Sequence, residues 1–307
     1  MQSINQKIQI TFPKDIELYI KRDDLLHPII SGNKFRKLKY NIHNATSLGY
    51  TTLLTFGGAF SNHILAVAGA GAEFGFKTIG VIRGEEIGNK IHENPTLSKA
   101  KEFGMQFYFV DRTSYRIKED PVFIENLHKK FGNFYLIPEG GTNELAIKGC
   151  EEIITADDKD FFTHITCAIG TGGTFSGLIN SSIDKQQLIG FSSLKGAFLS
   201  EVIRNFVSKT NWNISDEYHF GGYGKVTDEL IFFLNSFYNQ TNIQLDPVYT
   251  GKMVFGVLDM IKKDYFQPNS KILMIHTGGL QGIKGMNFVL KNKNKEILKY
   301  DGIFINK

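Results

Sequence analysis

The chain has 307 residues, 42% of them hydrophobic, with 35 Lys and Arg against 31 Asp and Glu and a formal net charge of +4. That length suits about two domains with real cores, and a small, dispersed positive charge without an RNA- or DNA-reading signature excludes nucleic acid as an expected partner. Two cysteines, Cys150 and Cys167, rule out a disulfide scaffold and read as buried thiols in a reducing compartment; with no apolar signal-peptide run and nothing near the roughly 20 apolar residues of a membrane span, a cytoplasmic protein without membrane contact is expected.

In chain order, apolar runs predict strands at 17–21, 51–56, 78–82, 106–110, 135–137, 164–169, 187–191, 243–248 and 272–275. Segments of helical period fall between them at 62–73, 95–103, 144–154, 174–179 and 227–238. Pro95 suits a helix start and Gly104 a helix end. Strand–helix alternation argues for an α/β fold, with open, mostly parallel twisted sheets and helices on both faces. No repeat or low-complexity linker interrupts the pattern. A smaller, inserted α/β domain is expected at 40–147, with 1–39 and 148–307 forming the larger one.

Three apolar runs end abruptly in glycines and hydroxyls. The first meets Gly57-Gly58-Ala59-Phe60-Ser61-Asn62-His63, the second Gly170-Thr171-Gly172-Gly173-Thr174, and the third Thr277-Gly278-Gly279-Leu280-Gln281-Gly282. Ligands of open α/β sheets sit at the carboxyl ends of strands. Glycine lets backbone N–H groups approach an anion, and a helix N-terminus adds unpaired donors. The 170–174 loop lacks the Lys-Ser or Lys-Thr of a P-loop and the pattern of a dinucleotide fold. It reads as a cradle for the phosphate of a small molecule. In Ser31-Gly32-Asn33-Lys34, the neighbours Arg36 and Lys37 would depress the Lys34 amine by like-charge repulsion and favour a nucleophilic neutral form. A basic first turn of a surface helix explains the same spacing equally well. His, Cys, Asp and Glu show no metal-ligand spacing.

Taken together, Ser31–Leu38, Phe56–His63, Gly170–Thr174, Asp246-Pro247-Val248-Tyr249-Thr250-Gly251-Lys252 and His276-Thr277-Gly278-Gly279 resemble, in order, the pyridoxal-phosphate enzymes of the 1-aminocyclopropane-1-carboxylate deaminase and D-cysteine desulfhydrase family, of the tryptophan-synthase β-like fold type II. The resemblance implies that Lys34 carries the cofactor pyridoxal 5'-phosphate as a Schiff base and then acts as the base on the substrate. It implies that Lys37, Gly170, Thr171, Gly172, Gly173 and Thr174 hold the phosphate and that Asn62 bonds the ring hydroxyl. Ser61 and His63 would face a small amino-acid substrate and its carboxylate. Tyr223 and Tyr249 would be the active-site tyrosines, and Thr250 or Thr277 would lie near the pyridine nitrogen. Asp23 and Asp24 also match and read as cap or turn support. A homodimer is expected by the same likeness.

In that family, the cyclopropane deaminases carry Glu where this chain has Thr250 and Leu where it has Thr277, whereas the desulfhydrases have hydroxyl residues there. A hydroxyl leaves the pyridine less protonated than a carboxylate would, which suffices for β-elimination with a good leaving group. The expected activity is therefore D-cysteine desulfhydrase, giving pyruvate, ammonia and sulfide. The alternatives are the cyclopropane deaminase, giving 2-oxobutanoate and ammonia, or a non-catalytic binder of a phosphorylated ligand. Phe60 stands where the family usually has Gln, and Ile64-Leu65 where a polar residue is usual, so the wall by the substrate loop is more apolar.

Overall fold

The computed structural model describes residues 3–196 and 199–302; the outermost residues of the expected larger domain, and 197–198 within it, lie outside the described residues. Ten strands are described, β1 (Asn5–Lys7), β2 (Glu17–Lys21), β3 (Thr52–Gly57), β4 (Lys77–Arg83), β5 (Gln106–Val110), β6 (Tyr135–Ile137), β7 (His164–Ile169), β8 (Gln187–Ser192), β9 (Trp212–Ser215) and β10 (Lys271–Ile275). They form a six-stranded sheet in the order β1-β2-β10-β7-β8-β9 and a four-stranded sheet in the order β5-β4-β3-β6. All neighbours are parallel except β1 and β2.

Both sheets are covered on both faces, as their near-continuous apolar runs require. In β10, Ile272 and Met274 face one core while Leu273 and Ile275 face the other. In β3, Leu53 and Leu54 divide in the same way. Each such fully buried side chain contributes roughly 1.5–3 kcal/mol relative to exposure.

The segment 243–248 is not a strand. Ile243 and Leu245 are buried as their pattern suggests, but side chains take the backbone carbonyls a ladder would need. His276 Nε2 lies 2.7 Å from Gln244 O, and the Tyr300 hydroxyl donates to Leu245 O at 2.7 Å. Asp23 and Asp24 are more than turn support. Both are buried, Asp23 against Arg36 at 3.2 Å and Asp24 against Arg22 at 2.8 Å.

Glycine sets how closely three helices cross beneath the site. A Cβ at Gly149, on helix Glu144–Glu151, would lie 2.0 Å from Arg36 O on helix Asn33–Ser47. One at Gly177, on helix Gly173–Ser181, would lie 2.7 Å from Ile147 O. Lys34 and Lys37 are thereby carried over the loop that follows β7.

Candidate active site

The carboxyl ends of β3, β4 and β6 in one sheet and of β7 and β10 in the other face a common cavity of about 440 Å³. That is within the range of ligand sites, roughly 300–1,000 Å³. Lys34, Lys37, Ser61, Asn62, His63, Gly170, Thr171, Gly172, Thr174, Tyr223, Tyr249 and Thr277 line it; Gly173 and Thr250 do not.

Lys34 lies in the first turn of helix Asn33–Ser47. Gly32 before it has φ +62°, and a Cβ there would sit 2.0 Å from Thr277 O, so only glycine lets these two loops meet. The Asn33 side chain joins two parts of the site. Its Oδ1 accepts from Lys34 Nζ at 2.9 Å, and its Nδ2 donates to Thr174 Oγ1 at 2.8 Å. Burial, and then the charge of Lys37, lower the Lys34 amine to about 7. Arg36 does not share in this as the sequence suggested, because Asp23 pairs with it.

Lys37 is 2% exposed, and burial lowers its amine as well. Its Nζ donates to Gly140 O at 2.9 Å, Thr142 Oγ1 at 3.1 Å and Thr171 Oγ1 at 3.4 Å. Gly173 opens the helix that follows the loop, and its Cβ position is 3.3 Å from the same Nζ. It packs behind the cradle against Thr142, which keeps it off the cavity wall. An ammonium, two hydroxyls and a helix N-terminus thus converge on one spot suited to an anion.

Ser61 caps helix Asn62–Phe74, its Oγ accepting from Ile64 N at 3.4 Å. Asn62 Oδ1 is buried without a partner. His63 is 2% exposed, with Nε2 2.9 Å from Thr55 Oγ1 and Nδ1 unpartnered. Burial, with the charges of Lys34 and Lys37, holds its ring well below the usual histidine range, so it is neutral.

Tyr249 and Tyr223 meet with ring centroids 6.1 Å apart. Burial and the neighbouring Tyr223 push the Tyr249 phenol well above its usual value, so it remains a donor. The hydroxyl of Thr250 is not available to the cavity, since it donates to Asp246 Oδ1 at 2.6 Å and accepts from Asp246 N at 3.0 Å. The carboxylate of Asp246 also takes the N–H groups of Val248, Tyr249 and Thr250 at 2.8–3.0 Å. Of the two threonines set near a pyridine nitrogen by the sequence, Thr277 is the one on the wall.

Sequence reasoning missed Asn33, Asp246, Arg83 and Glu139. Asn33 and Asp246 lay inside motifs already singled out; the partners of Arg83 and Glu139 are brought together only by the fold. Cys150 and Cys167 are buried free thiols, with the Cys150 thiol pushed up to about 11 by burial. Among the described residues no cluster of His, Cys, Asp and Glu suits a metal, and no helix is long and apolar enough to cross a membrane.

A family described as pyridoxal-phosphate dependent enzyme matches residues 10–278. A protein of Pyrococcus abyssi named "Putative 1-aminocyclopropane-1-carboxylate deaminase" is 32% identical over 87% of this chain and 86% of its own. A D-cysteine desulfhydrase of Salmonella typhi is 27% identical over 86% and 87%. The solved structure of an ACC deaminase homologue covers 92% of this chain and 90% of its own, with a TM-score of 0.75 at 28% identity. The residues present fit the cofactor that this family uses. One side chain, Asn33, spans from the Lys34 amine to the anion cradle, and the orphaned Asn62 oxygen in the same cavity offers a further polar partner.

Proposed function

The chain belongs to the pyridoxal-phosphate dependent enzyme family, and from that premise we propose that it is a β-eliminating lyase of a small amino acid, a D-cysteine desulfhydrase releasing pyruvate, ammonia and sulfide. The observation that carries the reading is the pairing of a Lys34 amine lowered to about 7 with a cavity wall that offers the Thr277 hydroxyl where the cyclopropane deaminases carry Leu.

Pyridoxal phosphate, when bound, supplies the electron sink that lets a bond at the substrate's α-carbon break. This chain's residues do the rest. Lys37, the N–H groups of 170–174 and Thr174 hold the phosphate, each charge-assisted hydrogen bond contributing roughly 1.5–3 kcal/mol. Asn62 orients the ring hydroxyl. The N-terminus of helix Asn62–Phe74 and Ser61 receive the substrate carboxylate. The neutral Lys34 amine takes the α-proton, its basicity matched to neutral pH. Tyr249, kept protonated, donates a hydrogen bond inside the cavity.

The higher identity to the Pyrococcus relative favours a second reading, opening of the cyclopropane amino acid to 2-oxobutanoate and ammonia. Product analysis of the holoprotein separates them. We expect sulfide and pyruvate from D-cysteine, no 2-oxobutanoate from the cyclopropane acid, and neither from Lys34→Ala. Release of 2-oxobutanoate without sulfide would replace the first reading with the second.

A further inference from the structure

Arg83 ends β4 at the edge of the cavity and lines it. Its guanidinium carbon stands 5.6 Å from the centroid of the Tyr115 ring. A Cβ at Gly58, at the start of the substrate loop, would lie 3.5 Å from its Nη2. Among the described residues it has no carboxylate within ion-pair distance and no hydrogen-bond partner. The acid on the same wall is already engaged, since Glu139 accepts the Tyr115 hydroxyl at 2.8 Å and pairs with Lys118 at 3.3 Å. With Lys34 and Lys37 assigned to the cofactor, Arg83 is the remaining cation on the cavity lining.

Each part of a bound amino acid then has a place. The amino group goes to the Lys34 side and the carboxylate to Ser61 and its helix. The third substituent is left to the other lining side chains, among them Phe60, Arg83, Tyr223 and Tyr249. We propose that Arg83 is the specificity-determining residue of this cavity and receives the substrate's β-substituent as an anion. The inference rests on the β-elimination reading. In that reaction the α-proton passes to the Lys34 amine, the C–H electron pair becomes the Cα–Cβ double bond, and the Cβ–S bond breaks with its pair on sulfur. Sulfur leaves as an anion, and water then hydrolyses the enamine to the keto acid and ammonia. A planar guanidinium placed beforehand where that charge develops lowers the barrier of this step. Opening of a cyclopropane ring expels no anion and would give Arg83 nothing to stabilise.

The test compares holoenzymes of the wild type, Arg83→Lys and Arg83→Gln on cysteine and on β-chloroalanine of the same handedness. Chloride leaves unaided, whereas hydrosulfide needs the cation. Arg83→Gln is expected to lower kcat/KM for cysteine by roughly tenfold to a hundredfold and for β-chloroalanine by much less, with Arg83→Lys between. A readout without turnover is calorimetric binding of aspartate against asparagine, which share a shape and differ in one charge. The wild type should prefer aspartate by roughly tenfold, and Arg83→Gln should erase the preference while retaining the absorbance of bound cofactor. Equal losses on both substrates would make Arg83 a carboxylate anchor and overturn the proposal, as would unchanged kinetics. A wild type that eliminates neither substrate sinks the function reading and this inference with it; one that eliminates both, indifferent to Arg83, sinks this inference alone.

Discussion

At the scale of single residues, the site turns on how one ammonium becomes an amine. Burial is the first cause that brings Lys34 to about 7, and the charge of Lys37 is the second. The neutral amine is the reactive form, and its population grows as pH rises through that value. Cofactor uptake by apoprotein should therefore accelerate with pH around neutrality and level off above it. Replacing Lys37 with Gln removes a positive neighbour, so the midpoint should move upward. Pyridoxal, which lacks the phosphate, is the right probe, because it reports the amine without the contact Lys37 makes to the phosphate. A midpoint that stays in place in Lys37→Gln would assign the whole depression to burial. Arg36 shows why charge in the sequence is not charge at the site. It lies nearer to Lys34 along the chain than Lys37 does, yet Asp23 pairs with it from a separate turn.

At the scale of elements, one loop depends on a buried cation. Phe220, Gly221, Gly222 and Gly224 all have φ between +52° and +110°, so no regular structure holds Tyr223 in place. Lys252, 1% exposed on helix Thr250–Lys262, does so by donating to His219 O at 2.8 Å and Gly222 O at 2.9 Å. Burial lowers its amine to about 8, against the opposing charge of Asp246. Lys252→Met keeps the bulk and removes the donors. It should lower kcat severalfold while cofactor absorbance persists, and Lys252→Arg should recover part of the loss. In the wild type, the cation is lost as pH rises through about 8, so activity should decline there and the decline should vanish in Lys252→Met. An unchanged alkaline limb in that variant would free the loop from this lysine. The elements themselves were legible where an apolar run was long enough to be buried on both faces, as in β3, β7 and β10. The three-residue β1 and four-residue β9, partly exposed, carry too little pattern to be seen. The 243–248 segment has the pattern of a strand, but side chains from far along the chain satisfy its carbonyls. The glycine loops announced the site; Asp246 stood inside a singled-out motif beside the residues it bonds, whereas Arg83 had no local mark because its neighbours Tyr115 and Gly58 are distant in sequence.

At the scale of the molecule, the cavity belongs to neither sheet alone. Ser61, Asn62 and Arg83 come from the four-stranded side, and Thr174, Tyr249 and Thr277 from the six-stranded side. A ligand gripped by both couples their unfolding, because anything that binds only the native state stabilises it by mass action. At a hundredfold excess over its dissociation constant, the cofactor should add about 2.7 kcal/mol, read as a rise in Tm of several degrees in calorimetry. Thr174→Ala, which removes one cradle hydroxyl and the bond to Asn33, should lose part of that rise. Lys99→Ala, off the cavity lining and in an exposed pair with Glu102, should keep all of it. The shape of the transition tells more than its midpoint. If the holoprotein melts as one event while the apoprotein melts as two, the cofactor is what joins the two sheets. If the apoprotein shows two events and cofactor moves only one of them, the ligand is held by a single sheet, and the shared cavity would not be the binding site.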